Sequence, residues 1–124
     1  MNVIDSSAWL EYFAGGPNAS FFAPAIEKTA KRVVPSLTVY EVFKRILVQR
    51  GEGAALQAAA VMLQGRVVDL DAGLAIASAR VSAERKLPMA DSIILATAES
   101  IGAEVWTQDA DFKGLPGVRY RKWK

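Results

Sequence analysis

The chain has 124 residues and contains neither cysteine nor histidine. The missing cysteine excludes disulfide bonds, thiolate nucleophiles and sulfur-ligated metal sites within this chain. The missing histidine excludes a Ser-His-Asp triad, the most common zinc ligand and the usual general base near neutral pH. Any hydrolysis must therefore depend on oxygen-containing side chains, and sites built only from carboxylates suit Mg²⁺ or Mn²⁺.

Long apolar runs are also missing, since no stretch approaches the roughly 18 residues that a membrane-spanning helix requires. The first residues, MNVI, carry no basic segment and favour a buried strand over a signal peptide. We therefore expect a cytoplasmic protein with no membrane partner. An apolar content of 52% and a charged content of 23% are ordinary for a folded protein, and the length fits one domain spanning residues 1–124.

Short apolar runs bounded by turn residues alternate along the chain with segments of helical periodicity. Strands are predicted at 3–4, 32–34, 66–69, 104–107 and, at an edge, 118–120. Helices are predicted at 8–14, 18–31, 36–51, 53–64, 71–86 and 91–101. Such alternation predicts a parallel sheet with helices on both faces, an α/β sandwich.

Two of these helices carry small and apolar residues at helical spacing, which should face the core. The fourth helix is rich in alanine and should pack closely against a neighbour. The predicted inward residues of the fourth and fifth helices are Leu56, Ala60 and Leu63, and Leu74, Ala77 and Val81.

Four carboxylates stand where an apolar segment meets a turn or a helix start: Asp5, Glu41, Asp91 and Asp109. Two of them follow predicted strands, and the other two lie at or near the start of predicted helices. Because ligands bind beyond the carboxyl ends of parallel strands, all four can meet at one edge of the sheet. Two unit charges about 4 Å apart repel by roughly 4 kcal/mol at an effective dielectric of about 20, and a divalent cation removes that repulsion.

Each acid also has an ordinary structural explanation. Asp5 can cap the first helix, and Asp91 can gain from a helix dipole. Glu41 can pair with a basic residue one turn later in its helix. Asp109 can build a turn with Asp111, which is the weakest candidate and is expected to face solvent or to cap that turn.

The segments VIDSSAWLEYF, PSLTVYEVFKRIL and LPMADSIILATAESIGAEVWTQDADF together resemble PIN-domain ribonucleases, specifically the VapC-type toxins of VapBC toxin–antitoxin systems. The resemblance extends over essentially the whole chain, and its most specific part is the ordered set of four acids. It implies a PIN-like three-layer α/β/α sandwich with a central, mainly parallel sheet of four to five short strands. It also implies a Mg²⁺- or Mn²⁺-dependent endoribonuclease that acts as the toxin of a type II system.

The resemblance further implies a role for each acid. Asp5 and Asp91 would be the main direct metal ligands, and Asp109 would complete the shell directly or through water. Glu41 would hold or activate a water molecule. Two hydroxyl side chains are implied to steady the ring of acids: Ser6 and Thr107.

The implied partners are a transfer or ribosomal RNA substrate and a cognate VapB-type antitoxin, with a homodimer joined to the antitoxin in a hetero-oligomer. Basic residues that could contact RNA phosphates are Lys44, Arg45, Arg85 and Lys86. Solvated helix faces explain them equally well. Core packing is the ordinary explanation for an aromatic-rich first third, which could also line an antitoxin groove: Trp9, Leu10, Phe13, Phe21 and Phe22.

Charge supports a polyanionic substrate only mildly. The net charge is +2, but without the four acids 9 acidic side chains remain against 15 basic ones. A basic body around an acidic pocket suits a metal-dependent enzyme acting on a polyanion, although it also suits simple solubility. The C-terminal RYRKWK interleaves basic and aromatic residues, as RNA-stacking surfaces do, and a frayed tail explains it equally well.

Two other functions fit parts of the pattern. A haloacid-dehalogenase-type phosphatase also places an acid after a strand, but it requires a second acid two residues later, where Ser7 stands. A non-catalytic PIN-like binding module would use its acids only to sequester metal or to contact a basic partner. Cleavage of RNA that depends on Mn²⁺ and stops with EDTA would separate the nuclease from both.

Overall fold

The computed structural model describes residues 1–124, in which five short strands form one fully parallel sheet. The strands are β1 Asn2–Ile4, β2 Arg32–Pro35, β3 Arg66–Val68, β4 Glu104–Thr107 and β5 Val118–Tyr120. The helices are α1 Ser6–Ala14, α2 Ala19–Glu27, α3 Ser36–Arg50, α4 Glu52–Met62, α5 Ala72–Arg85 and α6 Met89–Ser100. Short 3-10 turns follow α2 and β4, at Thr29–Lys31 and Ala110–Phe112. All the predicted strands and helices are therefore present, and α2 ends earlier than predicted.

The strand order β3-β2-β1-β4-β5 contains one switch point, at which the chain changes the side of β1 on which it adds strands. The chain moves outward from β1 to β3 and then returns to place β4 on the other side of β1. The switch point therefore lies between the parallel strands β1 and β4, where Ile4 pairs with Trp106. Open α/β sheets bind ligands beyond the carboxyl ends of their strands at such a point. Asp5 follows β1 directly, and Asp109 lies just beyond β4.

Helices cover both faces of the sheet. Successive strand residues point to opposite faces, so each strand contributes side chains to two cores. Val3 and Val105 pack in the core beneath α5 and α6. Ile4 and Val34 pack in the core beneath α1 to α4. These two cores confirm the predicted three-layer α/β/α sandwich. No helix in the chain combines the length and the apolar character needed to cross a bilayer.

The predicted inward face of α4 is wrong. Leu56 and Leu63 are 55% and 54% exposed, and Ala60 also faces solvent. Alanines occur all round this helix, so apolar spacing alone did not define one face. The residues that pack inward are small or unbranched, and they let α4 lie close to α3: Ala55, Ala58 and Met62.

The predicted inward face of α5 is correct at two of three positions. Leu74 is partly buried and Val81 is buried, but Ala77 is exposed. Ser78 takes the inward position instead, and its hydroxyl donates a hydrogen bond to the carbonyl of Leu74 at 2.7 Å. A serine whose hydroxyl bonds one turn back along the helix can be buried without leaving a polar group unpaired.

Candidate active site

Asp5 joins the start of α1 to the end of β4. Its side chain is the N-cap of α1, where Oδ1 accepts hydrogen bonds from the Ala8 amide at 2.9 Å and from Ser7 Oγ at 2.7 Å. Its other oxygen, Oδ2, accepts a hydrogen bond from Thr107 Oγ at 2.6 Å. Asp5 therefore caps α1, as the structural explanation predicted, and also lies at the edge of the sheet where β1 and β4 end.

The pKa of Asp5 is raised from its ordinary value of 3.8 to about 6. Burial is the main cause, because the residue is only 3% exposed and a low-dielectric environment disfavours the charged form. The hydrogen bonds from Thr107, Ser7 and the Ala8 amide oppose this effect, and the charge of Asp109 adds to it. A buried carboxylate with a raised pKa beside a second acid marks a candidate functional site.

Hydroxyl groups organise the loop that follows β4. Thr107 Oγ accepts a hydrogen bond from the Asp109 amide at 2.9 Å, and Ser7 Oγ accepts one from the Gln108 amide at 3.2 Å. Thr107 therefore connects Asp5 with Asp109, and its supporting role in the site stays a prediction. Ser7 was not among the predicted supporting residues, although the Ser-Ser pair after Asp5 places a second hydroxyl one residue further along the cap.

Three carboxylates cluster at the start of α6 and in the loop after β4. Each of Asp91, Asp109 and Asp111 offers one oxygen, and these oxygens all lie within 4.8 Å of one another. The backbone amide of Asp111 donates to Asp109 Oδ1 at 2.9 Å, which holds the turn in place. Asp111 is exposed, as expected, and its carboxylate nevertheless lies close to those of Asp91 and Asp109.

The pKa of Asp91 is raised from 3.8 to about 7. Burial contributes most, followed by the charge of Asp109, the hydrogen bond and charge of Asp111, and the charge of Asp5. Asp91 lies in the first turn of α6, where the helix dipole favours a carboxylate by about 0.3–1 kcal/mol. The pKa nevertheless rises to about 7, so burial and the neighbouring acids outweigh the effect of the dipole.

Glu41 is not part of the cluster formed by Asp91, Asp109 and Asp111. It lies on α3 and accepts a hydrogen bond from Ser6 Oγ at 2.6 Å, so Ser6 links it to the beginning of α1. Ser6 therefore supports Glu41 rather than the aspartates. The only ion pairs in the protein are Arg85 with Glu99 and Arg119 with Glu104, so Glu41 is not paired with a basic residue of its own helix.

The arrangement suits a hard divalent cation. The donor atoms are all carboxylate oxygens, which Mg²⁺ and Mn²⁺ prefer. The acids have no lysine or arginine among them, and their mutual repulsion is reflected in the raised pKa values of Asp5 and Asp91. A cation held by Asp91, Asp109 and Asp111, with Asp5 beside them, would remove that repulsion.

A family comparison agrees with this architecture. The model of the PIN domain family matches residues 3–118. The chain belongs to the PIN domain family. No curated protein matches it.

Solved structures similar to this PIN domain cover nearly its whole length. A toxin–antitoxin complex from Klebsiella pneumoniae is 26% identical, with a TM-score of 0.79 and 96% of each chain covered. VapC20 from Mycobacterium tuberculosis, described as a sarcin-ricin loop cleaving toxin, is 20% identical, with a TM-score of 0.78 over 95% of this chain and 97% of that one. DNA-bound VapBC from Salmonella typhimurium is 21% identical, with a TM-score of 0.73 over 99% and 98%.

The basic residues predicted to contact RNA differ in their surroundings within this PIN domain. Arg85 forms an ion pair with Glu99 at 2.8 Å, so its charge is already compensated. Lys86 is exposed at the end of α5, and Arg45 is exposed on α3. Lys44 lies on the same helix with its amine 5.8 Å from the centre of the Tyr40 ring. An RNA role for these residues stays a prediction, and Arg85 is the least available of them.

Two of the residues predicted to line an antitoxin groove are fully buried. Trp9 and Phe22 have no exposed surface and belong to the core beneath α1 to α4, so their assignment to a contact surface is wrong. Their large apolar side chains fill the space between the sheet and the helices. Leu10, Phe13 and Phe21 are only partly buried, and their role in binding a partner stays a prediction.

Proposed function

We propose that this PIN domain is a Mg²⁺- or Mn²⁺-dependent endoribonuclease and the toxin of a type II toxin–antitoxin system. The observation that carries the proposal is the convergence of Asp91, Asp109 and Asp111 within 4.8 Å. Asp5 lies beside them, at the switch point of the strand order between β1 and β4. Acids brought together by three separate chain segments are hard to explain by helix capping or turn formation alone.

The proposed chemistry is hydrolysis of an RNA phosphodiester by in-line attack of water. When bound, the divalent ion lowers the pKa of water and offsets the negative charge that develops on the phosphate. Asp91, Asp109 and Asp111 would hold the ion, and Asp5 would orient and complete its binding site. Glu41, fixed by Ser6, would orient the water. Water would attack the phosphorus as the P–O3′ bond breaks and O3′ takes up a proton, so the products would carry 5′-phosphate and 3′-hydroxyl ends.

The proposed toxin role is supported by the solved structures of similar fold. The Klebsiella complex and the Salmonella VapBC contain a toxin and an antitoxin, and VapC20 is described as cleaving the sarcin-ricin loop. For this chain we propose a VapB-type antitoxin, a homodimer and an RNA substrate. Growth arrest on expression, relieved by a small protein encoded beside it, would test the toxin role apart from the nuclease activity.

A cleavage assay tests the nuclease activity directly. The purified protein should cleave end-labelled RNA with Mn²⁺, and excess EDTA should stop the reaction. Asp91→Asn should reduce cleavage by at least about a hundredfold, because it removes one charge from the proposed ligand set. Glu84→Gln is the matched control, since it removes one exposed carboxylate elsewhere, on α5, and should cleave normally.

The same assay separates the alternatives. Full activity of Asp91→Asn would contradict the assignment of the site. Metal binding without cleavage of any RNA would favour a binding module. Metal-dependent release of phosphate from a small phosphomonoester, with a phosphoryl group trapped on Asp5, would favour a phosphatase, although Ser7 donates its hydroxyl to Asp5 where that chemistry requires an acid.

A further inference from the structure

A cavity of about 310 Å³ opens between α1, α3 and the C-terminal segment. Ser7 and Gln108 form the end nearest the acids, and Ser7 also donates its hydroxyl to Asp5. Phe13 lies on one wall and Trp123 on another. The volume lies in the range of small-ligand pockets, and Ser7 connects the lining of the cavity to Asp5.

Hydrogen bonds fix the C-terminal segment against the body of the protein. The Arg121 amide donates to the Thr107 carbonyl at 3.0 Å, which extends the pairing between β4 and β5. Asn18 is 2% exposed, and its Nδ2 donates to the Lys122 carbonyl at 2.9 Å and to Gln108 Oε1 at 3.1 Å. Trp123 follows immediately and is 68% exposed. The backbone is therefore fixed as far as Lys122, and the exposed indole of Trp123 follows at the wall of the cavity.

Two free guanidinium groups and one carboxylate line the same cavity. Arg45 and Arg50 are exposed and form no ion pair, so both remain available for an anion. Glu11 is 8% exposed, and its Oε2 accepts a hydrogen bond from the Asn18 amide at 2.8 Å. Its Oε1 accepts no hydrogen bond from the protein and lies where a Cβ at Gly16 would come within 2.3 Å. The carboxylate is therefore closely confined between Gly16 and the Asn18 amide.

We infer that the cavity binds a nucleotide of single-stranded RNA next to the scissile phosphate, with its base stacked on Trp123, which rests on the nuclease function proposed above. The aromatic face suits any base, and sequence-tolerant stacking is common in single-strand recognition. Arg45 and Arg50 bind the flanking phosphate. An apolar peptide would leave both guanidinium groups without a partner, so the charges favour a nucleotide.

Tryptophan fluorescence tests this subsite without catalysis. The chain has three tryptophans: Trp9 is fully buried and Trp106 is partly buried beneath Arg119, so Trp123 is the one most accessible to a base. A short single-stranded RNA added to Asp91→Asn in EDTA should quench the emission. Trp123→Phe should lose the quenching but keep its affinity within about threefold. Trp123→Leu should weaken RNA binding, measured by anisotropy of a labelled RNA, by about fivefold to a hundredfold, as expected for one lost stack.

A charge-matched pair tests the phosphate contact. Arg50→Gln should weaken binding and reduce its salt dependence by about one phosphate contact, whereas Arg66→Gln, at the start of β3, should do neither.

Unchanged emission on addition of RNA, or equal affinities of Trp123→Phe, Trp123→Leu and the parent, would overturn the subsite and leave the cavity to a protein partner. Cleavage by the wild type with an unchanged KM in Trp123→Leu would reject the subsite alone. Quenching without any cleavage in Mn²⁺ would reject the nuclease alone.

Discussion

The hydroxyl of Thr107 donates a 2.6 Å hydrogen bond to Oδ2 of Asp5. This bond joins the ends of β1 and β4, the two strands at the switch point of the sheet. The same oxygen of Thr107 accepts the amide of Asp109 at 2.9 Å. One side chain therefore holds one acid by its carboxylate and another by its backbone. A threonine at the end of β4 is in this sense part of the electrostatics of the site, although it carries no charge.

Thr107→Val should shift the acid limb of the cleavage profile to higher pH. The hydroxyl lowers the pKa of Asp5 against the larger effect of burial, so its loss should raise that pKa further, by about one unit for one charge-assisted hydrogen bond. The pH dependence of kcat/KM is the measurement. Thr107→Ser keeps the hydroxyl and should keep the wild-type profile. A Val variant with the wild-type acid limb and a uniformly lower rate would indicate a purely structural role.

Asp111→Asn should weaken Mn²⁺ binding by about tenfold or more. Its carboxylate joins those of Asp91 and Asp109, so the substitution removes one of three converging charges. The turn itself should survive, because Asp109 accepts the backbone amide of residue 111 and not its side chain. Calorimetric titration with Mn²⁺ measures the change, with Asp69→Asn as an exposed control beyond β3. Equal affinity in both variants would remove Asp111 from the ligand set.

The position of Asp111 shows where sequence reasoning stops. Asp5, Asp91 and Asp109 were predictable because each lies at the end of an apolar element, and parallel strands bring such ends to one edge. Asp111 lies two residues beyond Asp109 in a 3-10 turn, and its direction depends on the fully buried side chain of Phe112, which anchors that turn in the core beneath α6. Sequence spacing alone does not contain that tertiary contact.

Two other features needed the three-dimensional structure for similar reasons. The inward face of α4 was not predictable, because alanines around the helix allow several faces to approach α3. The role of Ser7 was hidden by the equivalence of two adjacent serines in sequence. Only the path of α1 turns Ser6 toward Glu41 and Ser7 toward Asp5.

The metal-free protein should lose stability as the pH rises from about 4 to about 8. Asp5 and Asp91 have pKa values of about 6 and about 7 in the folded state against 3.8 ordinarily, so the folded state binds more protons than the unfolded state in this range. Their stabilising effect is complete below pH 3.8 and is lost as the pH rises through about 6 and about 7. For buried Asp5 the difference corresponds to about 3 kcal/mol, and partly exposed Asp91 adds less.

Urea unfolding in EDTA at pH 5 and pH 8 measures this loss. Asp91→Asn cannot lose a proton at this position and should show a smaller difference between the two pH values. Mn²⁺ should restore the stability of the wild type at pH 8, because it binds only the folded state, and should do much less for the variant. Equal pH dependence in the wild type and Asp91→Asn would contradict the raised pKa of Asp91.

Arg32 is buried without an acidic partner and should contribute strongly to stability. It is 2% exposed and lies 5.0 Å from the centre of the Trp9 ring. Its guanidinium donates to the carbonyls of Ile26 and Val61, in the last turns of α2 and α4, where helix carbonyls lack partners within the helix. The partial negative charge of two helix ends thus takes the place of a carboxylate.

Arg32→Met should therefore reduce the free energy of unfolding by about 2–4 kcal/mol, because it removes the guanidinium donors from the Ile26 carbonyl and from the Val61 carbonyl, which keeps only a 3.3 Å hydrogen bond from the Gln64 amide. Gly65→Ala should also destabilise the fold, because the added Cβ would crowd Arg32. It would lie 2.9 Å from Arg32 Nε and 3.0 Å from the Arg32 carbonyl oxygen. Arg66→Met, at an exposed arginine, should change the unfolding free energy by less than about 0.5 kcal/mol. Guanidinium chloride titrations compare the three variants. Wild-type stability of Arg32→Met would show that the cost of desolvating the guanidinium cancels its hydrogen bonds to the two helix ends.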